Sequence, residues 1–210
     1  MIELYLMKYA IRFVGFIHKH LVFSRRTEVL SQRIAQLLPE QCSVLDIGCG
    51  DGLVAQKIID KKPGVMITGI DVLARKKSYI PVALFDGVSI PYPDNSFDCT
   101  ILIDVLHHTT KQDELLQEAT RVAKRYVIIK DHYADFRLKH WFLSILDWVG
   151  NKPHGVPLPF AFLSRAQWNN LWSKTRLKKE TEILRIDLYP FPLNRLIDWP
   201  WNFIVRLKKT

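Results

Sequence analysis

The segment Val44-Leu-Asp-Ile-Gly-Cys-Gly-Asp-Gly52 constrains this chain more than any other. An apolar run ends at an acidic residue and opens into three glycines spaced by two. That pattern predicts a buried strand, a tight turn, and a helix beginning near Asp51 whose free N–H groups face back toward a ligand. Glycine lacks a Cβ, so the turn can take positive φ and a ligand can approach its backbone. The spacing also excludes a class. Gly48, Gly50 and Gly52 form G-x-G-x-G, whereas the dinucleotide fingerprint needs glycine where Leu53 stands. No G-K-[ST] follows to cradle phosphate, so the loop reads as a nucleoside site of another kind.

The chain around it alternates strands and helices. Strands are expected at 43–47, 65–71, 80–85, 97–103 and 125–130, with helices at 25–38, 51–61 and 112–122. Short apolar strands separated by helices predict a doubly wound, mostly parallel sheet covered on both faces. Toward the C-terminus, 182–188 and 202–207 read as two further strands. They are joined by a loop in which Pro190, Pro192 and Pro200 exclude a helix, and so close a pair should be antiparallel. The whole is expected to be one domain, 1–210. Its parts are helices over 1–39, a ligand-binding core over 40–131, and a substrate-facing segment with an antiparallel edge over 132–210.

Ligands of open α/β sheets lie beyond the carboxyl ends of the strands. Four such ends carry Asp46, Asp71, Asp86 and Asp104. In this order, with Ile90-Pro-Tyr-Pro-Asp-Asn-Ser-Phe-Asp98 leading into the fourth strand and Glu118, Arg121 and Val122 preceding the fifth, the chain resembles the class I S-adenosylmethionine-dependent methyltransferases. The resemblance covers residues 40–131 and departs from the usual pattern at Ala123-Lys-Arg125, where a glycine turn is normal. It implies a seven-stranded Rossmann-like sheet of order 3-2-1-4-5-7-6 with strand 7 antiparallel, and S-adenosylmethionine as cofactor. It gives Asp71 to the ribose hydroxyls, and a carboxylate suits a vicinal diol because it offers two acceptor oxygens. It sets Val72 and Leu73 near the adenine, Asp86 at the adenine amino group, and Gly87 or Val88 at the ring nitrogens. Gly48 and Gly50 lie beneath the cofactor with Cys49 between them. Asp46 orients the loop or meets the amino-acid tail through water, and Asp104 closes the set.

Methyl transfer from a sulfonium is an in-line displacement that needs alignment and exclusion of water more than a catalytic triad. If a base takes part, His132 after the fifth strand is the first candidate, with Asp131 to orient it. His108 after the fourth strand is the second. The histidines form no short ligand motif, and His107-His108 are adjacent rather than one turn apart, so no metal is expected. The acceptor is expected to be a small, hydrophobic or lipid-like molecule methylated on oxygen or carbon. Its wall would come from Tyr133, Trp141, Trp148, Phe160, Phe162, Trp168, Tyr189, Phe191 and Trp199, with 150–159 as a lid.

Residues 1–24 suit an amphipathic helix, either resting on a membrane interface, covering the pocket, or packed on the domain. A net charge of +9 fits contact with an anionic surface. No arginine-rich arm, zinc finger or RNA-binding signature accompanies that charge. No Asn-Pro-Pro-Tyr-like base pocket follows the fourth strand either, which argues against nucleic acid as substrate. A protein methyltransferase and a non-catalytic binder of the cofactor remain as alternatives. Three cysteines without scaffold spacing and no evident secretory peptide point to the cytoplasm, with the inner membrane face as a peripheral location.

Overall fold

The computed structural model describes residues 23–151, 155–191, 194–198 and 201–210. The amphipathic segment 1–24 therefore falls almost wholly outside the described residues, as do Trp199 and part of the 150–159 loop. The chain runs α1 (Ser24–Leu37), β1 (Cys42–Ile47), α2 (Leu53–Lys61), β2 (Val65–Asp71), β3 (Val82–Leu84), β4 (Phe97–Ile103), α3 (Gln112–Val122) and β5 (Ala123–His132). It continues through α4 (Arg137–Asn151), α5 (Arg165–Ser173), β6 (Leu177–Ile183) and β7 (Asn202–Lys209). The seven strands form one sheet in the order β3-β2-β1-β4-β5-β7-β6. The first five are parallel, and β7 runs antiparallel to both neighbours. This is the expected Rossmann-like fold. The antiparallel strand is one position in from the edge, and β6 closes the sheet.

Period-two alternation within each central strand feeds two cores. Leu45, Ile47, Leu102, Val127, Ile129, Phe203 and Val205 face α3 and α5, where Leu116, Ala119, Trp168 and Trp172 complete one apolar layer. Val44, Ile101, Ile128 and Ile204 face the other way, onto Leu30 and Ile34 of α1 and Ile58 of α2. Strands apolar on both faces suit a sheet sandwiched between helices.

Five expectations are corrected in detail. Helix α2 starts at Leu53 rather than Asp51, because Gly52 takes a left-handed φ of 77° and stands as its cap. The third strand shrinks to Val82–Leu84. The fifth lengthens to Ala123–His132 and begins directly where α3 ends, so no turn replaces the missing glycine. The sixth strand lies at Leu177–Ile183, not 182–188. An edge strand tolerates solvent-facing charge, and Lys178, Lys179 and Glu180 are exposed there. The apolar Ile186 and Leu188 are buried in irregular chain packed on the α1 side. Finally, a π-helical turn, Asn194–Asp198, forms inside the proline-bounded loop.

Arg121 shows why the segment before β4 resembles its family counterpart. Its guanidinium donates to the carbonyls of Tyr92 and Ile90 at 2.9 and 3.0 Å and pairs with Glu118 and Asp94. The Ile90–Asp98 segment is thereby clamped to α3, a positioning task rather than a catalytic one.

Candidate active site

The glycine loop leaves β1 with Gly48, Gly50 and Gly52 all at positive φ, 71°, 62° and 77°. The Gly48 and Cys49 amides donate to the Ile70 carbonyl, at 2.8 and 3.2 Å, which ties the loop to the end of β2. Asp71, buried at that end, accepts from the Gly50 amide through Oδ2 and from the Leu73 amide through Oδ1, each at 2.8 Å. A carboxylate oxygen carries two lone pairs, so both oxygens retain a place for a hydroxyl donor. A Cβ on Gly50 would meet no atom within 4 Å, whereas one on Gly48 would strike Val105. Gly50 thus borders open space and Gly48 is packed from below, which is the cradle an adenosyl group needs.

The other expected cofactor residues surround this cradle unequally. Val72 is exposed and lies against Gly87. Asp86 is exposed, and its Oδ1 accepts from the Val88 and Ser89 amides at 2.8 and 2.7 Å, so it caps its own turn and leaves Oδ2 for a ligand. The Cys49 side chain fills the space above Gly69 and leaves only its backbone to line the loop. Asp46 is buried under the loop, where desolvation and the neighbouring Asp71 push its pKa up to about 8.

Beyond the carboxyl ends of β4 and β5 the fold gathers a second, strongly polar group. Asp104 has a left-handed φ of 56°. Its carboxylate is bound by Arg26 of α1 and, at 2.5 Å, by Nζ of the buried Lys130. Burial works to raise the Asp104 pKa, but Lys130 and Arg26 outweigh it and hold the carboxyl ionised. Both oxygens are thus engaged within the protein, and Asp104 acts on the cofactor side as an anchor for α1 and β5.

Asp131 accepts from the His107 ring at 2.7 Å and from the His132 amide at 2.8 Å, while the His132 ring lies 3.4 Å away. Asp131 therefore orients His107 rather than His132. Opposing burial, Asp131 and Asp147 raise the His107 pKa to about 10. His132 behaves oppositely: burial and the Lys130 ammonium push it down to about 4. His108 is held neutral by burial and by the His107 charge, with its Nδ1 3.0 Å from the Pro157 carbonyl. Phe162 stacks on His107 with ring centroids 4.6 Å apart and also meets His132 and His140 edge-on.

Of the expected aromatic wall, Phe162 reaches this rim. Tyr133 and Trp168 are core residues packed on Phe203. Trp141, Trp148 and Phe191 are exposed. Sequence reasoning missed Arg26, Lys130, His107 and Asp147. Two carried a signal: Lys130 interrupts the apolar run of β5, and Asp147 sits in an otherwise apolar stretch of helix. A buried charge needs a partner.

Residues 22–182 match the methyltransferase-domain family, and the chain belongs to it. Its fold is that of the class I S-adenosylmethionine-dependent methyltransferases, and S-adenosylmethionine is its cofactor.

Among curated relatives, 27-O-demethylrifamycin SV methyltransferase of Amycolatopsis mediterranei is 31% identical over 47% of this chain and 41% of its own length. A tRNA (carboxymethyluridine(34)-5-O)-methyltransferase of Schizosaccharomyces pombe is 32% identical over 46% of this chain and 42% of its own. The ubiquinone/menaquinone biosynthesis C-methyltransferase of Cupriavidus metallidurans is 27% identical over 63% of this chain and 62% of its own. The matched region thus spans roughly half the length of these relatives. Among solved structures, a sarcosine dimethylglycine methyltransferase from Galdieria sulphuraria described as putative superposes with a TM-score of 0.63 at 18% identity, over 89% of this chain and 86% of that one. A methyltransferase from Methanosarcina mazei gives 0.60 at 18%, over 84% and 96%. At these identities the structural likeness concerns the fold alone.

Proposed function

We propose that the chain transfers the methyl group of S-adenosylmethionine to a small, hydrophobic or lipid-like acceptor, on oxygen or carbon, by in-line displacement. The observation that carries this reading is the outer face of α4. Leu138, Trp141, Ile145 and Trp148 recur at helical spacing and are 76, 61, 39 and 48% exposed, with Phe136 just before them 75% exposed. An apolar stripe of this kind is uncommon on a protein that meets only water, and the same helix carries Asp147 to the rim beside His107. The rim and a greasy surface therefore share one element, an arrangement suited to an acceptor drawn from an apolar phase. The names of several relatives agree in kind, covering a rifamycin, a quinone and a sterol.

Within the site the chain's residues orient more than they react. The cradle and Asp71 fix the adenosyl group, while Phe162 and the rim side chains bound the space for the acceptor. His132, neutral at pH 7, offers a weak base. The charged His107 favours an acceptor that carries negative charge as it attacks. Peripheral attachment to a membrane, through α4 and the basic, apolar segment 1–24, belongs to the same proposal, with the cytoplasm as its setting.

Transfer of a labelled methyl group to prenylated quinols, to soluble phenols, to tRNA and to peptides, measured side by side, tests the substrate class. Preferential labelling of the prenylated acceptors is expected, and labelling of tRNA or peptide instead would overturn it. Flotation with anionic vesicles, by the whole chain and by one lacking 1–24, tests the membrane part. A chain that stays unbound at low salt would refute it.

A further inference from the structure

We infer that His107, His108 and Asp147 form a binding site for a divalent transition ion of the zinc or iron(II) kind. The residues come from two elements far apart in sequence, the 3₁₀ turn Leu106–His108 after β4 and the C-terminal part of α4. The sequence spacing therefore hid them. One donor atom from each lies within 4.8 Å of the others. His107 Nε2 is 3.7 Å and His108 Nε2 is 3.6 Å from Asp147 Oδ1. Those gaps are beyond a hydrogen bond. They are close to the roughly 3.4 Å edge of a tetrahedral sphere built on bonds of about 2.1 Å.

Two further observations point to a ligand. Asp147 is buried, and among the described residues its Oδ2 has no hydrogen-bond partner, while Oδ1 receives only the Asn151 amide at 2.6 Å. Both histidines are also oriented as metal ligands usually are. Each turns its Nδ1 to an acceptor, Asp131 Oδ1 at 2.7 Å for His107 and the Pro157 carbonyl at 3.0 Å for His108. A carbonyl and an ionised carboxylate only accept, so both Nδ1 atoms carry hydrogen; Nε2 of the neutral His108 offers its lone pair directly, and Nε2 of His107 offers one when the ion displaces its second proton. Two imidazoles and one carboxylate suit borderline transition ions rather than magnesium or calcium. Three protein ligands leave a position for water or an acceptor oxygen. The neighbouring group of Asp104, His107, Asp131 and His132 is the poorer choice, since Lys130 and Arg26 already neutralise Asp104.

The inference does not rest on methyl transfer, because its readout is the ion. Tag-free protein stripped with a chelator is titrated with Zn²⁺ and with Mg²⁺ by calorimetry, and with Co²⁺ by visible absorption. About one equivalent of Zn²⁺ should bind, Mg²⁺ should not compete, and Co²⁺ should give the intense bands of a four- or five-coordinate site. His108→Ala and Asp147→Asn should each weaken Zn²⁺ at least about 100-fold, and Asp131→Asn, which loosens the His107 ring, about 10–100-fold. Circular dichroism and melting of each variant separate loss of the site from loss of the fold. Zn²⁺ affinity and stoichiometry that are the same in the wild type, His108→Ala and a folded Asp147→Asn would overturn the site, as would a purely octahedral Co²⁺ spectrum.

Discussion

Gly48 and Gly50 are two residues apart and share a left-handed backbone, yet substitution by alanine should injure the protein in different ways. Any alanine there incurs the left-handed penalty, about 1–2 kcal/mol. At Gly50 that is the whole folding cost, because the new Cβ meets nothing within 4 Å. At Gly48 the Cβ would lie 2.6 Å from Val105 Cγ2 and 3.1 Å from Cγ1. Val105 is a β-branched side chain beside the 3₁₀ turn after β4 and cannot swing aside freely. Overpacking of this sort adds about 1–3 kcal/mol. For a chain of this size the difference between the variants is a gap in melting temperature of roughly 2–12 °C, with Gly48→Ala the lower. Affinity should rank the other way. The open space at Gly50 is where the adenosyl group must approach the backbone, so Gly50→Ala should weaken S-adenosylmethionine at least about 10-fold, which is about 1.4 kcal/mol. Thermal melting and calorimetric titration of both variants measure the two effects. Adding Val105→Ala to Gly48→Ala should recover most of the extra instability, read as a coupling in a double-mutant cycle. Equal melting temperatures, or unimpaired cofactor binding by a folded Gly50→Ala, would refute the assignment of one glycine to packing and the other to the ligand.

Other perturbations follow from the same geometry. Asp71→Asn keeps the shape but turns one acceptor oxygen into a donor. Charged hydrogen bonds contribute about 1.5–3 kcal/mol, so calorimetry should show cofactor affinity falling about 10–100-fold, and unchanged affinity would exclude Asp71 from ribose binding. Asp46, with its pKa near 8 against a usual value near 4, binds a proton in the folded state that the unfolded chain releases. Its contribution to stability is therefore full below about pH 4 and lost as pH rises through 8. Melting temperatures of the wild type should accordingly fall over that interval more steeply than those of Asp46→Asn, and parallel profiles would contradict it. Lys130→Met leaves the half-buried Asp104 carboxylate with Arg26 alone among its close cationic partners, and since removing one partner of a fully buried pair costs about 3–5 kcal/mol, a loss up to that size is expected, measurable by urea unfolding. If His132 is the base, its pKa of about 4 sets an acid limb near that pH and a plateau through neutrality; normal turnover by His132→Ala across the profile would remove it from the role.

The fold was legible because its signals are local. The β2, β4 and α3 boundaries follow from apolar alternation and helical periodicity, and the central strands carry the same pattern on both faces. The sixth strand was misplaced for the complementary reason. As an edge strand it buries little, so Lys178, Lys179 and Glu180 conceal it, while Ile186 and Leu188 mimic a strand though buried in irregular chain. The meeting of the glycine turn with the acid ending β2 was legible as well, since the two keep their spacing in the chain. The rim was not. Arg26 meets Asp104 across 78 positions, and His107 meets Asp131 across 24. No periodicity reports such pairings, and only the misfit of a charge within an apolar run hinted at Lys130 and Asp147.

That charge pattern bears on how the site works. His107 lies between Asp131 and Asp147, with Asp104 among its neighbours, so the position is built for a positive charge. Without an ion, the imidazolium supplies that charge. With one, the metal supplies it at nearly the same place. Lys130 beside His132 adds a second cationic centre on the same rim. An acceptor that gives up its proton before attacking the sulfonium has its anion stabilised by both, and it needs less from a base the nearer it comes to ionising unaided. Under the proposed function, the low basicity of His132 would suit acceptors such as phenols or quinols, whose oxygen or ring carbon gains nucleophilicity once a proton is lost, over simple alcohols, which would demand a stronger base than any the described residues place there.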